Sequence, residues 1–166
     1  MSGPAPAASF ADALNAKIAE RQADGGQLAV LLIECEVIGR IDAVWGYRVG
    51  DAVRERIKGS LRSEVLRADD LIGEMSRDEF ACVLSTIDGP AVAQLAAQKS
   101  LRTLNQPFWV GEEEISASPA IGLALYPANG EDAEALLQRA KSASMTARGT
   151  SGRIHEYEEQ GEDTAE

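Results

Sequence analysis

The chain has 166 residues, 45% of them hydrophobic and 26% charged, the make-up of one soluble globular domain with tails. At that size a fold needs neither disulfides nor a structural metal to hold it together. The formal net charge of −11 opposes binding to a nucleic-acid backbone, where affinity comes from Lys and Arg neutralising phosphates. The two cysteines, Cys35 and Cys82, sit in apolar runs outside any C-x-x-C pair. They read as buried reduced thiols, which favours a cytoplasmic compartment. No apolar run approaches the ~20 residues of a membrane-spanning helix. The opening M-S-G-P-A-P-A-A-S also lacks the basic segment and apolar core of a signal peptide.

Residues 1–8 are small and Pro-containing and are expected to be disordered. Ser9, with Asp12 three positions on, predicts a helix start. Phe10, Leu14 and Ile18 form one apolar stripe, ended by Asp24-Gly25-Gly26. Leu28 to Ile33 is an unbroken apolar run, a strand buried on both faces, and it stops at the acids of Glu34-Cys35-Glu36. Gly50-Asp51 precedes a helix with Val53, Ile57, Leu61 and Val65 on one face. Leu71–Met75 and Phe80–Leu84 form a β-hairpin, and Pro90 opens a helix through about Leu104. Two short strands flank Gly111. Ala120–Tyr126 is a further strand, and Asp132 begins a helix over Ala133 to about Ala147 with Leu136, Leu137 and Ala140 inward. Arg153–Tyr157 is a last short strand. The order helix–β–α–α–β–β–α–β–α–β predicts an α+β fold with a central, mostly antiparallel sheet flanked by helices.

Three segments together carry a family resemblance. L-L-I-E-C-E-V-I-G-R-I-D-A-V-W-G-Y-R-V-G-D (31–51) resembles the opening of the GGDEF family, where a strand ends in Asp-x-Asp and leads to Phe-Lys-x-Ile-Asn-Asp, Gly-His and Gly-Asp. L-R-A-D-D-L-I-G-E-M-S-R-D-E-F (66–80) resembles the family's Arg-x-x-Asp and its signature hairpin. A-I-G-L-A-L-Y-P (120–127), with the helix after it and A-R-G-T-S-G-R, resembles the Ser-Ile-Gly-x-Ala strand and a basic ending. The resemblance implies a nucleotidyl-cyclase-like sandwich and the condensation of two GTP to cyclic di-GMP across a dimer, with two divalent metals bridging carboxylates and phosphates. It divides the chain into an N-terminal tail and helix (1–26), a degenerate GGDEF domain (27–158) and an acidic tail or linker (159–166).

By residue match, Glu34, the Cys35 carbonyl and Asp78 stand at metal-binding positions, Glu36 at the second acidic position, and Glu79 at the catalytic acid of the signature. Asp42 and Asp51 stand at the guanine contacts. Arg148 and Arg153 resemble the basic pair on the terminal phosphates, one residue further apart than usual. Arg67 and Asp70 keep the Arg-x-x-Asp of an inhibitory site that binds cyclic di-GMP, a spacing that surface salt bridges also adopt. The departures point away from catalysis. Ser76-Arg77 replaces Gly-Gly, which implies strain at positive φ and also an Arg side chain in ligand space. Glu34 and Glu36 are a methylene longer than Asp, against the strict geometry of Mg²⁺. Gly39 replaces a phosphate-binding Lys, Asp42 an Asn, and Glu74 adds a carboxylate near the phosphates. His155 is lone, Tyr47 reads as packing, and Trp45, Phe108 and Trp109 read as core or edge cover.

The expected function is a non-catalytic regulatory or receptor module in cyclic di-GMP signalling, binding GTP or cyclic di-GMP. Its rivals are an active diguanylate cyclase and a dimerisation or docking module without nucleotide. Mg²⁺ or Mn²⁺ enters only if nucleotide binding is retained. The partners implied are a second copy or an adjacent sensor or EAL-type phosphodiesterase domain.

Overall fold

The computed structural model describes residues 7–159. Of the disorder expected for residues 1–8, residues 1–6 lie outside the described residues, as does the tail beyond residue 159, while Ala7 and Ala8 are helical. The first helix, α1 (Ala7–Asp24), starts two residues ahead of Ser9, consistent with Ala as the strongest helix former. Strand β1 (Gln27–Glu34) follows, then α2 (Val37–Trp45) and α3 (Tyr47–Glu64). The break between those two helices is Gly46 at φ 93, a conformation open to glycine. Gly50-Asp51 therefore lies inside α3 rather than before it.

The hairpin strands are β2 (Leu71–Ser76) and β3 (Glu79–Ile87). Helix α4 spans Pro90–Leu104, and the pair β4 (Phe108–Val110) and β5 (Glu113–Ile115) turns at Gly111. Strand β6 (Ala120–Tyr126), helix α5 (Ala133–Arg148) and strand β7 (Ile154–Glu156) complete the chain. Asp132 caps α5, its Oδ1 accepting from the Ala135 N–H at 2.8 Å.

The main sheet runs β2-β3-β1-β6-β7, antiparallel except for the β6–β7 pair. This is the α+β, cyclase-like architecture expected. The central strand β1 is buried on both faces and sorts its side chains by parity. Ala29, Leu31 and Ile33 join Ile38, Ile41, Val53, Ile57 and Leu61 of α2 and α3 in one cluster, with Ala93 and Ala97 of α4. Leu28, Val30 and Leu32 face Phe10, Leu14 and Ile18 of α1 and Leu136 and Ala140 of α5. Glu34 continues the even-numbered face, so the register aims its carboxylate at α5.

Cys35 and Cys82 are free and buried, as expected. Trp109 departs from its reading as cover: it is 67% exposed, because alternation on β4 turns Phe108 and Val110 inward instead. Among the described residues no helix is long and apolar enough to cross a membrane.

Candidate functional site

Glu34 and Glu79 are direct cross-strand partners at one end of the β1–β3 ladder. Like charges so placed repel, and here a cation from α5 lies between them. The Lys141 ammonium donates to Glu34 Oε2 at 2.6 Å and also contacts Glu79 Oε2. Arg148, seven residues and two turns further on the same helix face, donates from Nε to Glu34 Oε1 at 2.8 Å. Its Nη1 pairs with the exposed Glu36 at 3.1 Å. Burial pushes the Glu34 carboxyl upward, but the Lys141 and Arg148 hydrogen bonds outweigh it and hold the group below its ordinary value.

The resemblance asks Glu34, the Cys35 carbonyl and Asp78 to hold divalent metal. As arranged, these donors do not fit that task. Glu34 is 3% exposed and both its oxygens are engaged by cations. The Cys35 carbonyl accepts from the Ile38 N–H at 3.1 Å. Asp78 accepts from the Ser76 hydroxyl at 2.9 Å. A divalent ion between Glu34 and Glu79 would meet the Lys141 ammonium at contact distance, a like-charge encounter. Among the described residues no group of three His, Cys, Asp or Glu is arranged to hold a metal ion.

On the other side of the hairpin, Asp42 of α2 and Asp51 of α3 face one guanidinium. Arg77 donates to Asp42 through Nε at 2.9 Å and Nη2 at 2.8 Å, and its Nη1 lies 2.9 Å from Asp51 Oδ1. The same guanidinium lies 4.8 Å from the Tyr47 ring centroid, so Tyr47, read as packing, is an exposed stacking partner. The strain expected for Ser76-Arg77 is absent, since neither residue has positive φ. A register shift between Glu74 and Ser76 bulges β2 at Met75, and that extra residue absorbs the twist mismatch of a negative-φ turn. Glu74, expected to repel phosphate, turns to α3. There it pairs with Lys58 at 2.6 Å and contacts Arg54.

Arg153, expected on phosphate, is occupied with backbone. At φ 63 it donates to the carbonyls of Ser118 at 2.8 Å and of Pro119 and Arg148 at 3.2 Å. Gly39 leaves open space where a Lys was expected in the family. Arg67 and Asp70 lie apart from this cluster, in the α3–β2 turn. Asp70 accepts from the Arg67 N–H at 2.8 Å and the Ser85 N–H at 2.9 Å, so its carboxylate ties the turn to β3. The Arg67 side chain borders a cavity of about 260 Å³ with Arg62, Leu66 and Ile72. Lys141, Arg54 and Lys58 were missed in the sequence, where no motif marks them. The one available signal was the seven-residue spacing from Lys141 to Arg148.

The family model described as diguanylate cyclase, GGDEF domain, matches residues 7–153. Among curated relatives, the bifunctional diguanylate cyclase/cyclic di-GMP phosphodiesterase MucR of Pseudomonas aeruginosa is 28% identical over 137 residues, 82% of this chain and 20% of MucR. Diguanylate cyclase TpbB of the same species is 32% identical over 123 residues, 74% of this chain and 28% of TpbB. This chain therefore spans a fifth to just over a quarter of the length of these two relatives. The crystal structure of the TpbB GGDEF domain superposes with a TM-score of 0.87 at 28% identity, covering 96% of this chain and all of that one. The Caulobacter crescentus DgcB GGDEF domain, solved with cyclic di-GMP, shares the fold at a TM-score of 0.78 and 17% identity, over 92% of this chain and 91% of that one. With the family model matching residues 7–153 of 166, the chain belongs to the GGDEF domain family.

Proposed function

We propose that this GGDEF domain is a non-catalytic regulatory module of cyclic di-GMP signalling, one that recognises a ligand or partner domain in place of condensing GTP. The observation that carries the reading is the Lys141 ammonium lodged between Glu34 and Glu79, with Arg148 on the far oxygen of Glu34. Two-metal phosphoryl chemistry needs free carboxylate oxygens to hold cations against the phosphates. Here the protein supplies those cations itself, fixed and without the open coordination positions that substrate oxygens would take. Mg²⁺ or Mn²⁺ would enter only together with a bound nucleotide.

The likeness to MucR, a bifunctional diguanylate cyclase/cyclic di-GMP phosphodiesterase, supports a setting beside a phosphodiesterase domain; an adjacent sensor domain is the other setting we consider. GTP and cyclic di-GMP are cytoplasmic solutes, which sets the compartment of this function. The receptor surface we favour is the cavity by Arg67, where two guanidinium groups, Arg62 and Arg67, suit a phosphate or guanine edge. Asp70 serves it as a structural tie.

The test has two arms. Dimerised chain incubated with GTP and Mg²⁺ or Mn²⁺ should yield background levels of cyclic di-GMP, and turnover of roughly 1 s⁻¹ or faster would overturn the reading. Calorimetric titration with cyclic di-GMP at ~0.1 M salt should give modest affinity, weakened at least about tenfold in Arg67→Ala by loss of charge-assisted hydrogen bonds. Absence of binding by the wild type would favour a docking module.

A further inference from the structure

Arg77 belongs to the hairpin turn, yet its side chain leaves the hairpin and crosses to α2 and α3. Its guanidinium bridges Asp42 and Asp51 with three contacts of 2.8–2.9 Å and stacks on Tyr47. Two carboxylates converging on one guanidinium form an acceptor-only site. Such a site selects a flat ligand edge that presents adjacent N–H donors. A guanidinium has that edge. Among nucleobases guanine has it too, through its ring N–H and exocyclic amine, whereas adenine sets its one amine donor beside ring-nitrogen acceptors.

The contact is supported at more than one position. Asp42 is only 11% exposed. It lies so close to Gly50 that a Cβ there would collide with Asp42 Oδ1 and come within 3.1 Å of Arg77 Nη2. The hairpin is also held at its backbone, where Arg54 Nε donates to the Arg77 carbonyl at 2.9 Å. Arg54 in turn contacts Glu74, which pairs with Lys58, a lysine 1% exposed. An isolated surface ion pair would be worth little. This one is bidentate, partly buried and tethered from behind.

We propose that Arg77 is an internal latch: it occupies a guanine-edge site made by Asp42 and Asp51 and excludes guanine nucleotides from it. The inference rests on the reading of Asp42 and Asp51 as nucleotide-site residues. A tethered guanidinium competes at high effective concentration, so free ligand binds with an affinity reduced by the fraction of time the latch is open. Arg54 is a positioning residue, acting through the Arg77 backbone.

The test uses GMP without divalent cation, so that only base recognition is read, titrated calorimetrically into the full chain and its variants. Arg77→Ala should bind GMP at least about tenfold more tightly than the wild type, with no matching gain for AMP. Ethylguanidinium should compete with GMP in that variant, and adding Asp42→Ala should remove the gain. Arg77→Lys keeps the charge but loses the fork, so it should bind GMP better than wild type even if Arg77→Ala proves poorly folded. GMP binding unchanged in a folded Arg77 variant, or equal gains for AMP and GMP, overturns the latch. GTP turnover by the wild type overturns the non-catalytic reading and the latch together, whereas unchanged GMP binding without turnover overturns the latch alone.

Discussion

Cys35 and Cys82 are 0% and 1% exposed, and burial pushes both thiols up to about 12; at Cys35 the charges of Asp78 and Glu34 add to it. Neither thiolate forms at neutral pH, so both sulfurs should resist a thiol reagent in the native chain and react together on denaturation. Rapid labelling of either in native buffer would contradict this burial. Glu34 sits at the opposite extreme. Burial raises its carboxyl, yet Lys141 and Arg148 hold it below its ordinary range, and the Arg77 hydrogen bonds hold Asp42 below its own. The unfolded chain takes up these protons near pH 4, the folded chain only at lower pH. Across that window the unfolded state binds more protons, so stability rises with pH and is fully present above it. Melting temperature should hold from neutral pH to about 5 and fall steeply below. Glu34→Gln should soften that acid limb, and an unchanged limb would place the titration elsewhere. These acids were singled out in the sequence, Glu34 at a strand end and Asp42 by residue match to the family. Their partners were not, since Lys141 lies 107 residues from Glu34 and no local pattern fixes which side chains meet across elements.

The elements follow the sequence more closely than the site does. Pro90 opens α4 and Asp132 caps α5 where turn and cap chemistry place them. Helix α5 lies directly on β6 at Gly122, where a Cβ would run into the backbone of Ala140, Ala143 and Ser144. Backbone cannot swing aside as a side-chain tip can, so Gly122→Ala should cost about 3 kcal/mol, the upper end for overpacking. At this chain length that is a loss of roughly 6–12 °C in melting temperature. Asp132→Ala removes one capping bond and should cost about 1 kcal/mol, or about 2–4 °C. A thermal melt of both variants checks the ranking, and an equal loss would mean that α5 shifts to accommodate the new methyl. The same close approach delivers Lys141 and Arg148 to the strand end, so a shifted α5 should also disturb the Glu34 pairs.

Across the whole molecule, α1 is part of the packing. Phe10, Leu14 and Ile18 cover Leu28, Val30, Leu32, Ala81 and Val83, and the Asn15 amide oxygen accepts from the Ala133 N–H at 2.9 Å, joining α1 to α5. Removing residues 1–26 would bare the apolar strand residues that α1 covers. That truncation should bind a hydrophobic dye and aggregate on size exclusion. A monomer with a cooperative melt would show instead that the sheet is self-sufficient on that face. The intact α1 face keeps the β1 register, and hence the aim of Glu34 at α5, fixed against slippage.

What the sequence determined by itself was the architecture: the element order, the central strand buried on both faces, the hairpin and the family they identify. Periodicity and cap chemistry are local, so they are written in consecutive residues. What only the tertiary structure decided was how the charges pair. Arg77 reaches Asp42 across 35 residues, Lys141 separates two facing carboxylates, and Glu74 turns to Lys58 and Arg54. A bulge at Met75 lets Ser76-Arg77 close, without positive φ, a turn where the family carries Gly-Gly. Charge pairing depends on which faces the packed elements turn toward each other. That is settled by helix rotation, sheet register and the reach of long side chains, none of which is written in the spacing of residues along the chain.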